Sequence, residues 1–170
     1  TSCEDTTQLF TVDYYGSPMY LSQSGQLYSE AGIMGFGKVY DFGPVFRAEK
    51  SKTRHHLSEL WMMDAEMAYF DQVMNMEVQE KMVKRIVSDV LRDCKDELAI
   101  LERDTTLLER LVNEPFVHLK HAEAKKILAA DGLTVDVNDD MTTEEEIHLG
   151  NKYQLPIFIE DYPAHVKAFY

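Results

Sequence analysis

Hydrophobic positions in the first part of the chain form short aromatic and β-branched runs separated by turn residues, a pattern that indicates β-strands. Segments 8–14 and 18–23 flank Tyr15-Gly16-Ser17 and predict a β-hairpin. Segments 38–47 and 57–70 are separated by a polar stretch, so they predict two longer strands joined by a charged loop.

The hydrophobic period changes to three or four residues after Asn75, which indicates a long amphipathic helix. Its expected role is to pack over a sheet, rather than to bind a partner. The apolar stripe along this helix consists of Val78, Met82, Ile86, Val90, Cys94, Leu98 and Leu101.

Shorter helices are predicted on both sides of this long one. Residues 26–36 predict a helix closed by Gly35 and Gly37. A second short helix is predicted from Thr105 or Thr106 to Leu111. 

The last part of the chain mixes helices and strands. Residues 121–130 predict a helix ended by Asp131-Gly132, and Thr142 and Thr143 each have a Glu three residues on, a capping-box signal for a helix through about residue 152. Closing strands are predicted over 155–160 and 165–170. We therefore expect a single α+β domain over 1–170, with helices flanking a largely antiparallel sheet.

Composition narrows the possible functions. The chain of 170 residues is 45% hydrophobic, enough for a sizeable core, and its net charge of −13 opposes nucleic acid or membrane surfaces unless basic residues are gathered. Cys3 and Cys94 are too few for a disulfide framework or a metal site, so a reducing cytoplasm is expected. No apolar run approaches the roughly 20 residues of a membrane span. The start at Thr1, without Met, suggests an excised or expressed fragment.

Basic residues are gathered in the loop between the two longer predicted strands. A solvated turn is the ordinary interpretation of such a charge run, but Arg47 ends an apolar strand, where a guanidinium is unusual without an anionic partner. Its planar fork suits a phosphate or a carboxylate, and Glu49 lies two residues on, on the same strand face. The basic positions are Arg47, Lys50, Lys52, Arg54, His55 and His56.

The same region resembles the second signature motif of class II aminoacyl-tRNA synthetases. The motif has an F-R-x-E strand, a variable loop and a strand beginning R-H-x-x-E-F, and the chain reads FRAEKSKTRHHLSELWMMDAEMAYF at 46–70. Residues 20–54, 101–111 and 158–170 resemble bacterial asparaginyl-tRNA synthetases almost continuously. The resemblance covers nearly the whole chain and implies an incomplete catalytic-domain fold of that class.

The resemblance implies an ATP site around the loop. Arg47 would hold the ATP α-phosphate and the amino-acid carboxylate, and is the expected catalytic residue. Glu49 would face the nucleotide and the tRNA acceptor end, and His56 the terminal phosphates. The backbone at Leu57 would contact the adenine edge. Two further positions, His55 and Leu60, match residues that bind ATP in the family.

The resemblance also implies an amino-acid site. Ser24 and Gln26 match substrate-binding positions, and Glu4 falls in a segment resembling the family's mobile substrate-covering loop. Aspartyl enzymes carry Lys at the position of Ser29, so Ser suits a neutral amide side chain. Two carboxylates are also implied. Glu30 would accept a hydrogen bond from the amide NH₂, unless it is a solvated helix residue. Asp64 would help to bind the substrate ammonium, directly or through a neighbour.

Four departures from the family pattern fall in this site. The family's Gly after the loop Glu is Asp5, its Arg is His55, and its Glu-Pro is Asp64-Ala65. Leu60 replaces the Phe whose ring stacks on adenine, and loss of such a contact is worth roughly 1–3 kcal/mol.

The resemblance implies activation of asparagine with ATP and Mg²⁺, followed by transfer to tRNA(Asn), by a homodimer in its complete form. The dimer-forming first motif and the anticodon-binding domain are expected before Thr1, and the third motif with the metal-binding acids after Tyr170. The chain alone is therefore expected to be inactive. One alternative is a degenerate paralogue that binds a nucleotide, an amino acid or a protein without aminoacylation. An enzyme that makes asparagine is a third.

Overall fold

The computed structural model describes residues 9–48 and 57–167, which divide between two compact units, 1–71 and 72–170. The α+β fold class predicted from the sequence is confirmed. Each unit is described by itself, and the organisation as a single domain stays a prediction. No helix in the two described stretches is long and apolar enough to cross a membrane.

The first unit contains two antiparallel hairpins and one helix. Strands β1 (Thr11–Tyr14) and β2 (Ser17–Tyr20) form the predicted hairpin. Its turn residues Tyr15 and Gly16 both have positive φ, 51° and 82°, as a tight two-residue hairpin loop requires. The Asp13 side chain stabilises the loop by accepting the Gly16 N–H at 3.0 Å.

Helix α1 (Gln26–Phe36) follows, as predicted, and leads into the longer hairpin. Gly37, with φ 75°, ends the helix and donates its N–H to Ile33 at 2.8 Å, whereas Gly35 lies within the last turn. Strands β3 (Lys38–Phe46) and β4 (Glu59–Met67) pair antiparallel over their full length, which confirms both predicted strands.

Among the described residues of the first unit, helix α1 covers one face of the long hairpin. Alternate residues face opposite sides of a strand, and α1 packs on the side that carries Val39: a Cβ added at Gly32 would touch that side chain at 3.4 Å. Phe42 and Trp61 lie on the other face, where their rings contact each other at 5.3 Å and are each more than half exposed. The hairpin therefore has a helix-covered face and an exposed aromatic face.

The second unit begins with the helical region predicted after Asn75. The structure divides this region into α2 (Gln72–Asp93) and α3 (Lys95–Ile100), so the prediction of one long helix is wrong. Cys94, with φ −113° and ψ 36°, leaves the helical conformation between them. No glycine or proline marks this break in the sequence, and the apolar period continues through it.

The rest of the second unit contains α4 (Thr106–Asn113), β5 (Val117–Lys120), α5 (His121–Ala130), α6 (Thr143–Tyr153) and β6 (Ile157–Glu160). Strands β5 and β6 pair in parallel, because α5 and α6 form the crossover that a parallel pair needs. The core residues of this unit are Leu119, Ala124, Leu128 and Leu149. 

Several predictions for the second unit are confirmed and two are corrected. Helices α4, α5 and α6 are found where predicted, and α6 has the predicted capping box between Thr142 and Glu145. The sequence did not indicate β5, a four-residue strand that depends on pairing with distant β6. The strand predicted from residue 165 is wrong over 165–167, where Val166 donates to Pro163 in a turn, and 168–170 lie outside the described residues.

A buried ion pair joins α5 to α6. Lys125 Nζ lies 2.9 Å from both carboxylate oxygens of Glu145, and both side chains are almost fully buried. Lys125 also donates to the Asp140 carbonyl at 3.0 Å. Every polar atom of the pair has a partner, which is the condition under which a buried ion pair is tolerated.

Candidate active site

The helix-covered face of the β3–β4 hairpin carries Asp64, a charged residue that the sequence singled out. Register pairs Asp41 with Asp64 and Gly43 with Met62 across the two strands. Because directly opposite residues share a face, all four side-chain positions lie on the side where α1 packs. Two carboxylates therefore lie side by side beneath the start of α1.

Arg47 follows β3 directly and is held by the end of the hairpin. Its backbone N–H donates to the Ser58 carbonyl at 2.9 Å, which continues the pairing by one residue. Its Nη2 lies 3.9 Å from the Met62 Sδ, and the residue is half-buried. Contact with Met62 places the guanidinium over the helix-covered face. Within the described part of the chain it forms no ion pair.

Asp64 links the hairpin to the beginning of α1. Its Oδ2 accepts the backbone N–H of Gly25, the residue that precedes the helix, at 3.1 Å. A carboxylate is favoured at a helix N-terminus because free N–H groups and the helix dipole point toward it. The sequence indicated that this carboxylate needs a donor, and the backbone of Gly25 supplies one. The loop before α1 is fixed again where Phe46 donates to the Ser22 carbonyl at 2.8 Å.

The predicted amino-acid-binding residues of α1 fall on two sides of the helix. Gln26 Nε2 donates to Glu30 Oε1 at 3.1 Å on the exposed side, so the structure brings these two together. Ser29 is buried, with 9% of its surface exposed. Ser24 is half-buried in the preceding loop, and its carbonyl accepts the Ser22 hydroxyl at 2.9 Å.

A small cavity of about 170 Å³ opens between this loop and β3. Ligand pockets for drug-sized molecules typically measure about 300–1,000 Å³, so this cavity suits an amino acid better than a nucleotide. It adjoins the start of α1, where Ser24 and the two carboxylates lie. Its lining residues are Ser22, Ser24, Gly25, Asp41, Phe42, Gly43, Pro44 and Val45.

The predicted ATP-binding residues are described only in part. Leu57 is 64% exposed, and Leu60 is half-buried on the helix-covered face opposite Val45. Their roles stay predictions, as do those of the residues above. The predicted residues Glu4, Glu49, His55 and His56, and the departure Asp5, lie outside the described residues.

Sequence reasoning did not single out Asp41. It occupies the same strand face as Val45 and Val39, in a strand whose other charged residue is Lys38 at its start. The argument used for Asp64, that a carboxylate on an apolar strand needs a partner, applies equally to Asp41 and would have found it.

Comparison with known proteins identifies the family of this chain. The family model described as tRNA synthetases class II (D, K and N) matches residues 1–170. The chain belongs to this family. The resemblance inferred from the second signature motif is thereby confirmed.

Two relatives are nearly half identical to this chain over almost its whole length. The asparagine–tRNA ligase of Streptococcus pneumoniae (strain ATCC BAA-255 / R6) is 47% identical over 99% of this chain and 39% of its own length. That of Lactococcus lactis is 46% identical over the same shares. The chain thus spans about two-fifths of the relatives it matches.

Solved structures of the family agree with the fold. The asparaginyl-tRNA synthetase of Pyrococcus horikoshii complexed with asparaginyl-adenylate gives a TM-score of 0.87 at 39% identity, over 100% of this chain and 39% of that one. The Entamoeba histolytica asparaginyl-tRNA synthetase in complex with asparaginyl-adenylate gives 0.79 at 27% identity, over 96% and 38%.

Proposed function

We propose that the complete protein containing this chain activates asparagine with ATP and transfers it to tRNA(Asn). One observation carries the proposal: Arg47 and Asp64 lie on the same hairpin face, and Asp41, opposite Asp64, lines a cavity of amino-acid size. The names of the relatives at 46–47% identity support the choice of substrate. 

The proposed reaction has two steps. The carboxylate oxygen of asparagine attacks the ATP α-phosphorus, the bond to the β-phosphate oxygen breaks, and asparaginyl-adenylate and pyrophosphate form. A ribose hydroxyl at the tRNA 3′ end then attacks the acyl carbon and releases AMP. The first step brings two anions together, so a fixed guanidinium at Arg47 would stabilise the negative charge on both during attack.

Orientation supplies the rest of the proposed catalysis. An amino acid carries a carboxylate and an ammonium on one carbon, and the helix-covered face offers a cation at Arg47 and an anion at Asp64. Opposite charges at two points fix the direction in which the substrate lies, which favours attack in line with the leaving group. The hydrogen-bonded Gln26 and Glu30 pair is the proposed contact for the side-chain amide, and buried Ser29 adds no cation to attract aspartate.

Mg²⁺ is the metal that the family resemblance implies. Across residues 9–48 and 57–167 there is no group of three or more His, Cys, Asp or Glu side chains that could hold a metal ion. The resemblance places the metal-binding acids after Tyr170, so no step above is assigned to the ion. 

We further propose that the complete protein is a homodimer that works in the cytoplasm away from membranes, as the resemblance implies. Sedimentation of the complete protein checks the dimer: a single species at twice the chain mass supports it, and a monomer at micromolar concentration contradicts it.

Exchange of labelled pyrophosphate into ATP tests the proposed activity. The complete protein is supplied with each amino acid in turn, and only asparagine is expected to support exchange. Labelled asparagine should then become attached to tRNA(Asn). Exchange driven by aspartate instead, or by no amino acid, would contradict the assignment.

A further inference from the structure

Asp41 is a half-buried carboxylate on the helix-covered face of the hairpin. It lies opposite Asp64 in the hairpin and lines the cavity beside Ser24. Asp64 accepts the Gly25 N–H, whereas Asp41 forms no hydrogen bond or ion pair with any residue in the described ranges. Because this carboxylate is partly removed from water and has no protein donor there, a bound cationic group would stabilise it.

Gly25 shows that the Asp41 carboxylate occupies a specific place. A Cβ added at Gly25 would lie 1.4 Å from Asp41 Oδ2, so no other residue type fits there without moving the carboxylate. The backbone of Gly25, with φ −94°, does not itself require glycine. The glycine is therefore explained by the close approach of Asp41 to the start of α1.

The charges around the cavity indicate which ligand fits. Asp41 and Asp64 repel each other unless a cation lies between them, and Arg47 offers a cation farther along the same face. An ammonium group has three N–H donors, enough for both carboxylates and one further acceptor such as the Ser24 hydroxyl. A ligand with an ammonium beside a carboxylate matches this arrangement.

We propose that Asp41 binds the α-ammonium of the amino-acid substrate together with Asp64. This inference rests on the proposed function, since it adds a substrate-binding residue to the same site. The two carboxylates hold the ammonium from opposite strands, while Arg47 takes the substrate carboxylate. The α-carbon is thereby fixed, and the carboxylate is aimed at the nucleotide.

Calorimetric binding of asparagine and succinamate separates this role from a purely structural one. Succinamate is asparagine without its amino group, so it keeps the carboxylate and the amide but has nothing for Asp41 to bind. In the complete protein, Asp41→Asn should weaken asparagine binding about 10-fold or more, as expected for loss of a charged hydrogen bond, and leave succinamate binding within about twofold. Asp96→Asn, the same change at an exposed position of α3, should alter neither.

Each other outcome has a definite meaning. If Asp41→Asn weakens asparagine and succinamate equally, the residue is structural and the inference is overturned. Unchanged asparagine binding overturns it as well, and so does binding of Mg²⁺ alone that Asp41→Asn abolishes. If the protein binds aspartate rather than asparagine, and Asp41→Asn weakens aspartate but not succinate, the inference stands and the proposed substrate falls. If no amino acid binds, both proposals fail.

Discussion

Asp41 and Asp64 lie directly opposite each other in the β3–β4 hairpin, on the face that α1 covers. Like charges placed directly opposite each other destabilise a strand pair. The Gly25 N–H offsets part of this at Asp64. In the proposed complex, the substrate ammonium offsets the repulsion that remains at Asp41.

Gly25→Ala tests the geometry without removing a charge. The new Cβ must displace the Asp41 carboxylate, so asparagine binding by the complete protein should fall about 10- to 100-fold, as misplaced contacts do, with little effect on ATP binding. Calorimetry with each ligand measures both. Gly35→Ala is the matched control, because a Cβ there meets nothing within 4 Å. If Gly25→Ala binds asparagine as tightly as Gly35→Ala does, the Asp41 carboxylate can move aside without loss of binding.

Leu60→Phe restores the ring that stacks on adenine in the family. Leu60 lies half-buried on the helix-covered face, so a phenyl ring there can reach a nucleotide near Arg47. ATP binding should tighten by about 10-fold, the effect of one stacking contact. Calorimetric titration of the complete protein with ATP gives the result, with Leu107→Phe on α4 as the control. If the unaltered protein binds ATP very weakly and Leu60→Phe restores binding, the result would favour the alternative that the protein is a degenerate paralogue. Unchanged affinity would show that residue 60 does not meet the base.

Lys125→Met should strongly destabilise the second unit. It leaves Glu145 buried without its cation, and breaking one side of a buried ion pair typically lowers the free energy of unfolding by about 3–5 kcal/mol. Urea unfolding followed by circular dichroism provides the measurement. Lys126→Met, a substitution of the neighbouring exposed lysine, should change the free energy of unfolding little. A loss below about 1 kcal/mol for Lys125→Met would show that the pair is not buried in solution.

Stability should fall in acid because carboxylates of the second unit are held in their charged form. Burial raises the pKa of Glu145, but the Thr142 N–H and Lys125 outweigh this and hold it below its usual value. A hydrogen bond from Lys152 lowers the pKa of Asp131. Depressed folded-state pKa values contribute stability that is complete above the unfolded values of about 4 and is lost as pH falls through the folded ones.

Urea midpoints measured between pH 7 and pH 2 check this behaviour. The midpoint should hold steady near neutral pH and fall below about pH 4, and Glu145→Gln should reduce the drop. If the midpoint instead falls as pH is lowered from 7 to 5, the pH dependence would come from histidines.

Local signals in the sequence predicted most elements, while contacts between distant residues were missed. Thr142 and Glu145 lie three residues apart, so the start of α6 was visible, as was the turn at Gly16. The break at Cys94 has no local marker, and β5 exists only through its pairing with β6. The burial of Lys125 likewise depends on a partner 20 residues away.

The same contrast between local and distant signals holds for the candidate site. Arg47 and Asp64 could be predicted because a charged residue on an apolar strand needs a partner, and the resemblance implied a ligand for each. The donor to Asp64 is a backbone N–H across 39 residues, which no side-chain pattern reports. The closeness of Asp41 to Gly25 likewise follows from the packing of α1 on the hairpin.

Pyrophosphate exchange by Arg47 variants tests the central claim most directly. In the complete protein, Arg47→Ala should lower asparagine-dependent exchange about 100-fold or more, because a fixed charge that stabilises the transition state is lost. Arg47→Lys should recover only part, since a point charge replaces a planar fork. Arg85→Ala, an exposed arginine of α2, should have no effect. Exchange by Arg47→Ala within about twofold of the unaltered protein would contradict the account.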